Sequence, residues 1–154
     1  MNESELEYAG FWIRVLATII DTLLILMITL PLLVSIYGWK YFSYEKVVAG
    51  PADFLVSWVL PAVAVILFWV KRQATPGKQV LSLRVLDAET GASLSGMQSL
   101  GRYLAYFVSL IPFGLGLLWI AFDNRHQGWH DKLANSVVVR AKNRGPKPVR
   151  FHQT

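Results

Sequence analysis

Three apolar blocks, at positions 15–39, 54–70 and 103–122, dominate a chain of 154 residues. A helix rises about 1.5 Å per residue, so the first and third can cross roughly 30 Å of bilayer hydrocarbon. The second, at about 26 Å, spans it with Asp53 and Lys71 at the headgroups. With 54% hydrophobic and only 16% charged residues, too little polar sequence remains to wrap three such helices in a soluble fold. Trp12, Trp39, Trp69 and Trp129 stand near block edges, as interfacial tryptophans do, whereas Trp58 and Trp119 read as packing residues. The expected fold is an all-α membrane protein with three hydrophobic helices and a short β-like cytoplasmic segment.

One residue breaks the first block. Between Val15 and Trp39 the single acid or base is Asp21, seven positions after Arg14, so both project from one helical face. A carboxylate at that depth is costly and is kept where it has an internal partner or a polar path. Asp21 is thus either an ion, proton or substrate ligand with Arg14 as counter-charge, or a strut holding helices together. Arg14 can equally snorkel to the headgroups.

The charge pattern leaves a conflict of topology. Lys71, Arg72, Lys78, Arg84 and Arg102 outweigh Asp87 and Glu89, which puts the 71–102 segment and the N-terminus in the cytoplasm. Arg140, Lys142, Arg144, Lys147 and Arg150 assign the tail to that side too, yet a single crossing by 103–122 carries it outside. The single crossing is the favoured reading. Its alternative is a broken or re-entrant third segment, since Pro112, Gly114 and Gly116 interrupt the middle. Two short β-like runs, 80–86 and 136–139, can pair only if both lie on one side of the membrane, which supports that alternative. Ser93–Arg102 reads as an approach helix starting near Ser95, and residues 141–154 as a basic, disordered tail.

Other classes of function fit poorly. Glu3, Glu5 and Glu7 are the reverse of a basic leader, so no cleaved signal peptide is expected. The chain has no cysteine, which removes disulfides and thiolate chemistry. Around Asp123 and Asp131 the run Asp123-Asn124-Arg125-His126-Gln127-Gly128-Trp129-His130-Asp131-Lys132 concentrates polar groups. Its two histidines, four apart, share a face if the piece is helical, but Gln127 stands where a zinc-protease signature has glutamate. Neither a metal, nor a cofactor, nor an enzymatic activity is expected. Asp131 reads as a hydrogen-bond acceptor from a cap or an arginine that fastens the tail to the bundle.

Phe11-Trp12-Ile13-Arg14 through Ile20-Asp21, Lys71 to Lys78, Leu83-Arg84-Val85-Leu86-Asp87 and His130-Asp131-Lys132-Leu133-Ala134 together resemble the RDD family of small membrane proteins. The resemblance spans about Tyr8 to Val139 and delimits a transmembrane domain at 8–140. It assigns the family's arginine and two aspartates to Arg14, Asp21 and Asp131. Asn135 departs from a position where members often carry glycine. The resemblance implies transport of an undefined ligand, with sodium/proton exchange suggested for some members. Asp21 is then the coupling or cation-binding carboxylate, with Arg14 and Asp131 as its electrostatic or structural partners; Asp123, from the polar run, is a further candidate for the same network.

Two functions follow as expectations. One is an oligomeric transporter of ions or small solutes in the cell membrane, with a cation or proton on the buried carboxylate; so small a chain needs a homo-oligomer to enclose a path. The other is a non-transporting adaptor or assembly factor with a structural Arg/Asp network. In either, the partner is the bilayer, with acidic headgroups at the basic tail; nucleic acid is not expected.

Overall fold

A computed structural model describes residues 6–141. The basic tail beyond Ala141 and the first glutamates lie outside the described residues. The architecture is mostly helical, with a small sheet at one end.

After strand β1 (Leu6–Tyr8), helix α1 runs from Phe11 to Tyr37. Its Leu, Ile, Met and Val side chains are largely exposed, as for a helix solvated by lipid rather than by protein. Pro31 removes one donor within it. Thr29 adds a bond from Oγ1 to the Ile25 carbonyl at 2.9 Å, and the helix continues.

The second rod is assembled from α2 (Pro51–Phe54), a π turn at Leu55–Val59 and α3 (Leu60–Arg72). Pro61 cannot donate to the ladder. The π turn lies directly before it and closes with Leu60 N–H on the Leu55 carbonyl, so the interruption is absorbed without breaking the rod. This extends the second apolar block at both ends and answers its shortness. Both Phe11–Tyr37 and Pro51–Val80 are long and apolar enough to cross a membrane.

A corner at Gln73–Thr75 leads to α4 (Pro76–Val80) and strand β2 (Leu83–Asp87). Helix α5 (Gly96–Leu110) starts on a full capping box, Ser95 Oγ accepting from Gln98 N–H while Gln98 Oε1 accepts from Ser95 N–H. The third apolar block is not a straight crossing. It bends by 110° between α5 and the segment Leu115–Ala121, which opens with α6 (Leu115–Leu118). Phe113 and Gly114 take positive φ at the bend, and Gly116 lies so close to Ser109 that an added Cβ would fall 2.6 Å from its Cα. The returning segment therefore folds back tightly on α5.

The physical reason for the bend is the sheet. Helix α7 (Trp129–Leu133) delivers β3 (Ser136–Ala141) antiparallel to β2, pairing Asp87 with Ser136 and Leu83 with Arg140. The stretch joining them must return to the end where it began, which a straight span cannot do. β1 flanks the other edge of β3, giving the order β1-β3-β2. The sheet is larger than the β-like segment expected from sequence, because β1 was not foreseen. Its inner face packs Leu83, Val85 and Val138 against Ala9, Ala17 and Trp69, so the buried core sits where the helices meet the sheet.

Candidate functional site

Below the sheet, three helices deliver one charged cluster. Arg14 comes from the first turn of α1, Arg102 from the middle of α5, and His130 and Asp131 from the short α7; all are buried. Asp131 is the hub. Its Oδ2 accepts from Arg14 Nη2 at 2.7 Å and from the Gly128 N–H at 2.9 Å. Its Oδ1 lies 2.6 Å from Arg102 Nη2. Arg14 also donates to the His126 carbonyl at 2.8 Å, and Arg102 to Ser136 Oγ at 2.6 Å, which extends the cluster to the first residue of β3.

Burial by itself pushes the Asp131 carboxyl up, but Arg102 and then Arg14 outweigh it and hold it well below the usual carboxylate range. His130 moves the other way from a charged state. Burial, aided by Arg102 and Arg14 against the pull of Asp131, lowers it to about 2, so its imidazole is neutral. Facing Arg14 at 3.2 Å, Nε2 must accept; Nδ1 then carries the proton, 3.3 Å from Ser109 Oγ. The ring stacks on Tyr106 at 3.9 Å, and Tyr106 stacks in turn on Trp69.

Asp21 is elsewhere. Its Oδ2 accepts from Thr75 Oγ1 at 2.5 Å and its Oδ1 from the Gly77 N–H at 2.7 Å. Thr75 precedes α4, so the carboxylate of α1 serves as a distant N-cap for that helix. Gly77 permits the approach: a Cβ there would meet the Ala17 carbonyl and lie 2.9 Å from Asp21 Cγ. Arg14 and Asp21 thus share a helix face but serve different partners. Asp123 is placed apart from both. It caps a loop through the Arg125 and Gln127 N–H groups and pairs with the half-exposed Lys132 at 2.5 Å. His126 has φ +49° and lies outside α7, so the two histidines do not form a helical pair.

Four participants were missed from sequence. Neither Arg102 nor Lys78, both counted as topology charges, was read as a site residue, and Tyr106 and Ser109 were read as apolar-block residues. A signal for three of them existed: Ser99, Arg102, Tyr106 and Ser109 repeat at helical spacing as a polar stripe through an apolar helix. Lys78 is buried beside Trp69, with its Nζ 5.7 Å from the ring centroid.

A model of the RDD family covers residues 8–135, from β1 to the turn before β3. The chain belongs to the RDD family. It is similar to the uncharacterized protein YxaI of Bacillus subtilis, 33% identical over 147 residues that cover 85% of this chain and 96% of that one. A shorter likeness, 33% over 76 residues, links it to the uncharacterized protein RP437 of Rickettsia prowazekii, of whose length it covers 42%. No solved structure matches. In this RDD protein Arg14 and Asp131, two of the residues expected from the resemblance, meet, and the third, Asp21, stands on its own.

Proposed function

We propose that this RDD protein is a non-transporting membrane adaptor or assembly module, with Arg14, Asp21 and Asp131 closing its fold rather than moving an ion. The observation carrying this reading is that both oxygens of Asp21 are occupied by Thr75 and Gly77. Each oxygen keeps a further lone pair, but a carboxylate that binds and releases a cation also needs a polar path to it. The cavity beside Asp21 is about 120 Å³ and otherwise lined by residues such as Leu24, Ile28, Val65 and Phe68. Asp131 is neutralised by two buried arginines, which disfavours a further cation there.

The same reading places the sheet in the cytoplasm. Lys71, Arg72 and Arg84 are exposed at that end, which agrees with the positive-inside bias. α5 and α6 then form a re-entrant hairpin that enters and leaves by the cytoplasmic face, and β3 lies on the same side as β2. The two votes that conflict for a straight third span agree for a returning one. An adaptor of this kind needs no oligomer to enclose a path.

The test is Asp21→Asn in reconstituted vesicles, with folded yield and sodium, proton or solute flux measured side by side. The expected result is a lower folded yield and unchanged flux. If the wild-type protein carries a flux that a normally folded Asp21→Asn variant loses, the transporter reading replaces this one.

A further inference from the structure

A buried lysine beside the charged cluster lies against the Trp69 ring but has no carboxylate partner among the described residues. Lys78 is 5% exposed, yet among the described residues its ammonium makes no ion pair. Arg14 and Arg102 share the one carboxylate of the cluster, Asp131, while Asp21 is bonded to Thr75 and Gly77, so the cluster holds more cations than carboxylates and none of the latter pairs with Lys78. An ammonium left so far from water without a counter-charge is costly.

Lys78 lines a cavity of about 390 Å³, together with Arg14 and Tyr106 at its polar floor. That volume falls within the roughly 300–1,000 Å³ usual for small-molecule pockets. The remaining lining is mostly apolar, with Val15 and Ile19 of α1 on one side and Leu117 of the returning segment on the other. Ile19 is half exposed and Phe113 fully so, and both line the cavity, so it is open beside α1 and the bend of the α5–α6 hairpin, on surfaces that face lipid. A cationic floor with apolar walls open to lipid matches an amphiphile that has one anionic head and an acyl chain.

We propose that this cavity binds an anionic amphiphile from the bilayer, its phosphate or carboxylate head on Lys78 and Arg14 and its chain between α1 and the α5–α6 hairpin. The inference rests on the membrane placement of the chain and holds whether or not the protein moves a solute. The head neutralises the surplus charge, and the chain covers apolar walls that a soluble anion would leave bare.

The test uses the full-length protein, delipidated in neutral detergent and titrated with oleate, phosphatidate, phosphatidylcholine or inorganic phosphate. Binding is read by native mass spectrometry and by the thermal unfolding midpoint. Oleate and phosphatidate are expected to bind and raise the midpoint, while phosphatidylcholine and inorganic phosphate do neither. Loss of one charge-assisted contact in Lys78→Met weakens the anionic ligands at least about tenfold, and Lys78→Arg retains them. Without ligand, Lys78→Met unfolds at the same or a higher temperature than wild type, because a buried unpaired charge is gone; a lysine acting only as a structural partner would lower it. Equal binding by Lys78→Met, or equal binding of phosphatidylcholine, overturns the proposal. Equal stabilisation by inorganic phosphate overturns it in favour of a soluble anion. Should Lys78→Met not fold, Leu117→Trp fills the cavity while keeping Lys78, and retention of the anionic adducts by that variant is the overturning result.

Discussion

Asp21 and Asp131 are the two aspartates the resemblance singles out, and both are engaged by protein groups, but they are held by opposite means. Asp21 sits in an apolar setting and is satisfied by two neutral donors at the start of a helix. Asp131 is fully buried and paired with two guanidinium groups. Removing a neutral donor set leaves polar groups that can still find one another. Removing a hub carboxylate leaves two buried cations facing each other. The difference teaches that the two aspartates, equal in the resemblance, carry unequal shares of the fold.

The largest expected effect therefore belongs to Asp131. Asp131→Asn leaves Arg14 and Arg102 uncompensated and should destabilise by about 3–5 kcal/mol, the usual scale for breaking a buried pair. Size-exclusion profiles of the solubilised protein should show little folded material. The comparison sharpens with a triple variant, Arg14→Leu, Arg102→Met and Asp131→Leu. Because apolar replacement of a whole buried ionic group is often neutral, it should recover more folded protein than Asp131→Asn alone. If it does not, the cluster supports something other than folding.

Acidification attacks the same hub by a second route. His130 is held neutral down to about 2 in the fold but takes a proton near 6.5 when unfolded. Between those values the unfolded state binds more protons, so stability falls as pH drops below about 6.5, by up to about 1.4 kcal/mol per pH unit. Asp131, also depressed, adds loss of the same sign once pH falls below its unfolded value, about 3.9. Unfolding curves between pH 7 and pH 5 should thus lose about 2 kcal/mol, and His130→Gln should flatten that slope. A slope unchanged in His130→Gln would show that another group titrates.

Asp21→Asn should be milder. The amide keeps one acceptor and turns its other arm, an NH₂ donor, toward Thr75 or Gly77, for an expected loss of about 1–2 kcal/mol. Gly77→Ala tests the same corner from the opposite side, because its Cβ drives against the Ala17 carbonyl and Asp21. Denaturant midpoints that fall further for Asp21→Asn than for Asp131→Asn would invert the comparison.

Much of this arrangement was legible in the residues. Apolar blocks gave the two long helices, Ser95 marked the start of α5, and β-branched runs located β2 and β3. Their pairing was harder, because it depends on whether 103–122 crosses or returns, and Pro112 with two glycines is compatible with both. β1 escaped notice since three residues carry no period; it is held as an edge strand by pairing to β3, with Glu7 reaching Arg140. Arg102 and Lys78 were counted as positive-inside charges, a rule that treats every cation near a helix end as solvated. Their burial is a tertiary property. Only the polar stripe of α5 hinted that Arg102 turns inward.

Asp123 supplies the smallest effect and the control for the others. It lies in the same polar run as Asp131 and also binds a cation, so a sequence reading gives it similar weight. Yet Lys132 is 44% exposed at its side chain, and water screens the pair. Lys132→Met should shift stability by no more than about 1 kcal/mol, the range for exposed ion pairs. Asp123→Asn should cost slightly more, because the carboxylate also accepts from the Arg125 and Gln127 N–H groups. Denaturant unfolding at low and high salt separates these terms: salt should reduce the Lys132→Met difference and leave the Asp131→Asn difference largely intact. A salt-sensitive Asp131 would mean that water reaches the hub, and the contrast between a sealed and an open aspartate would no longer hold.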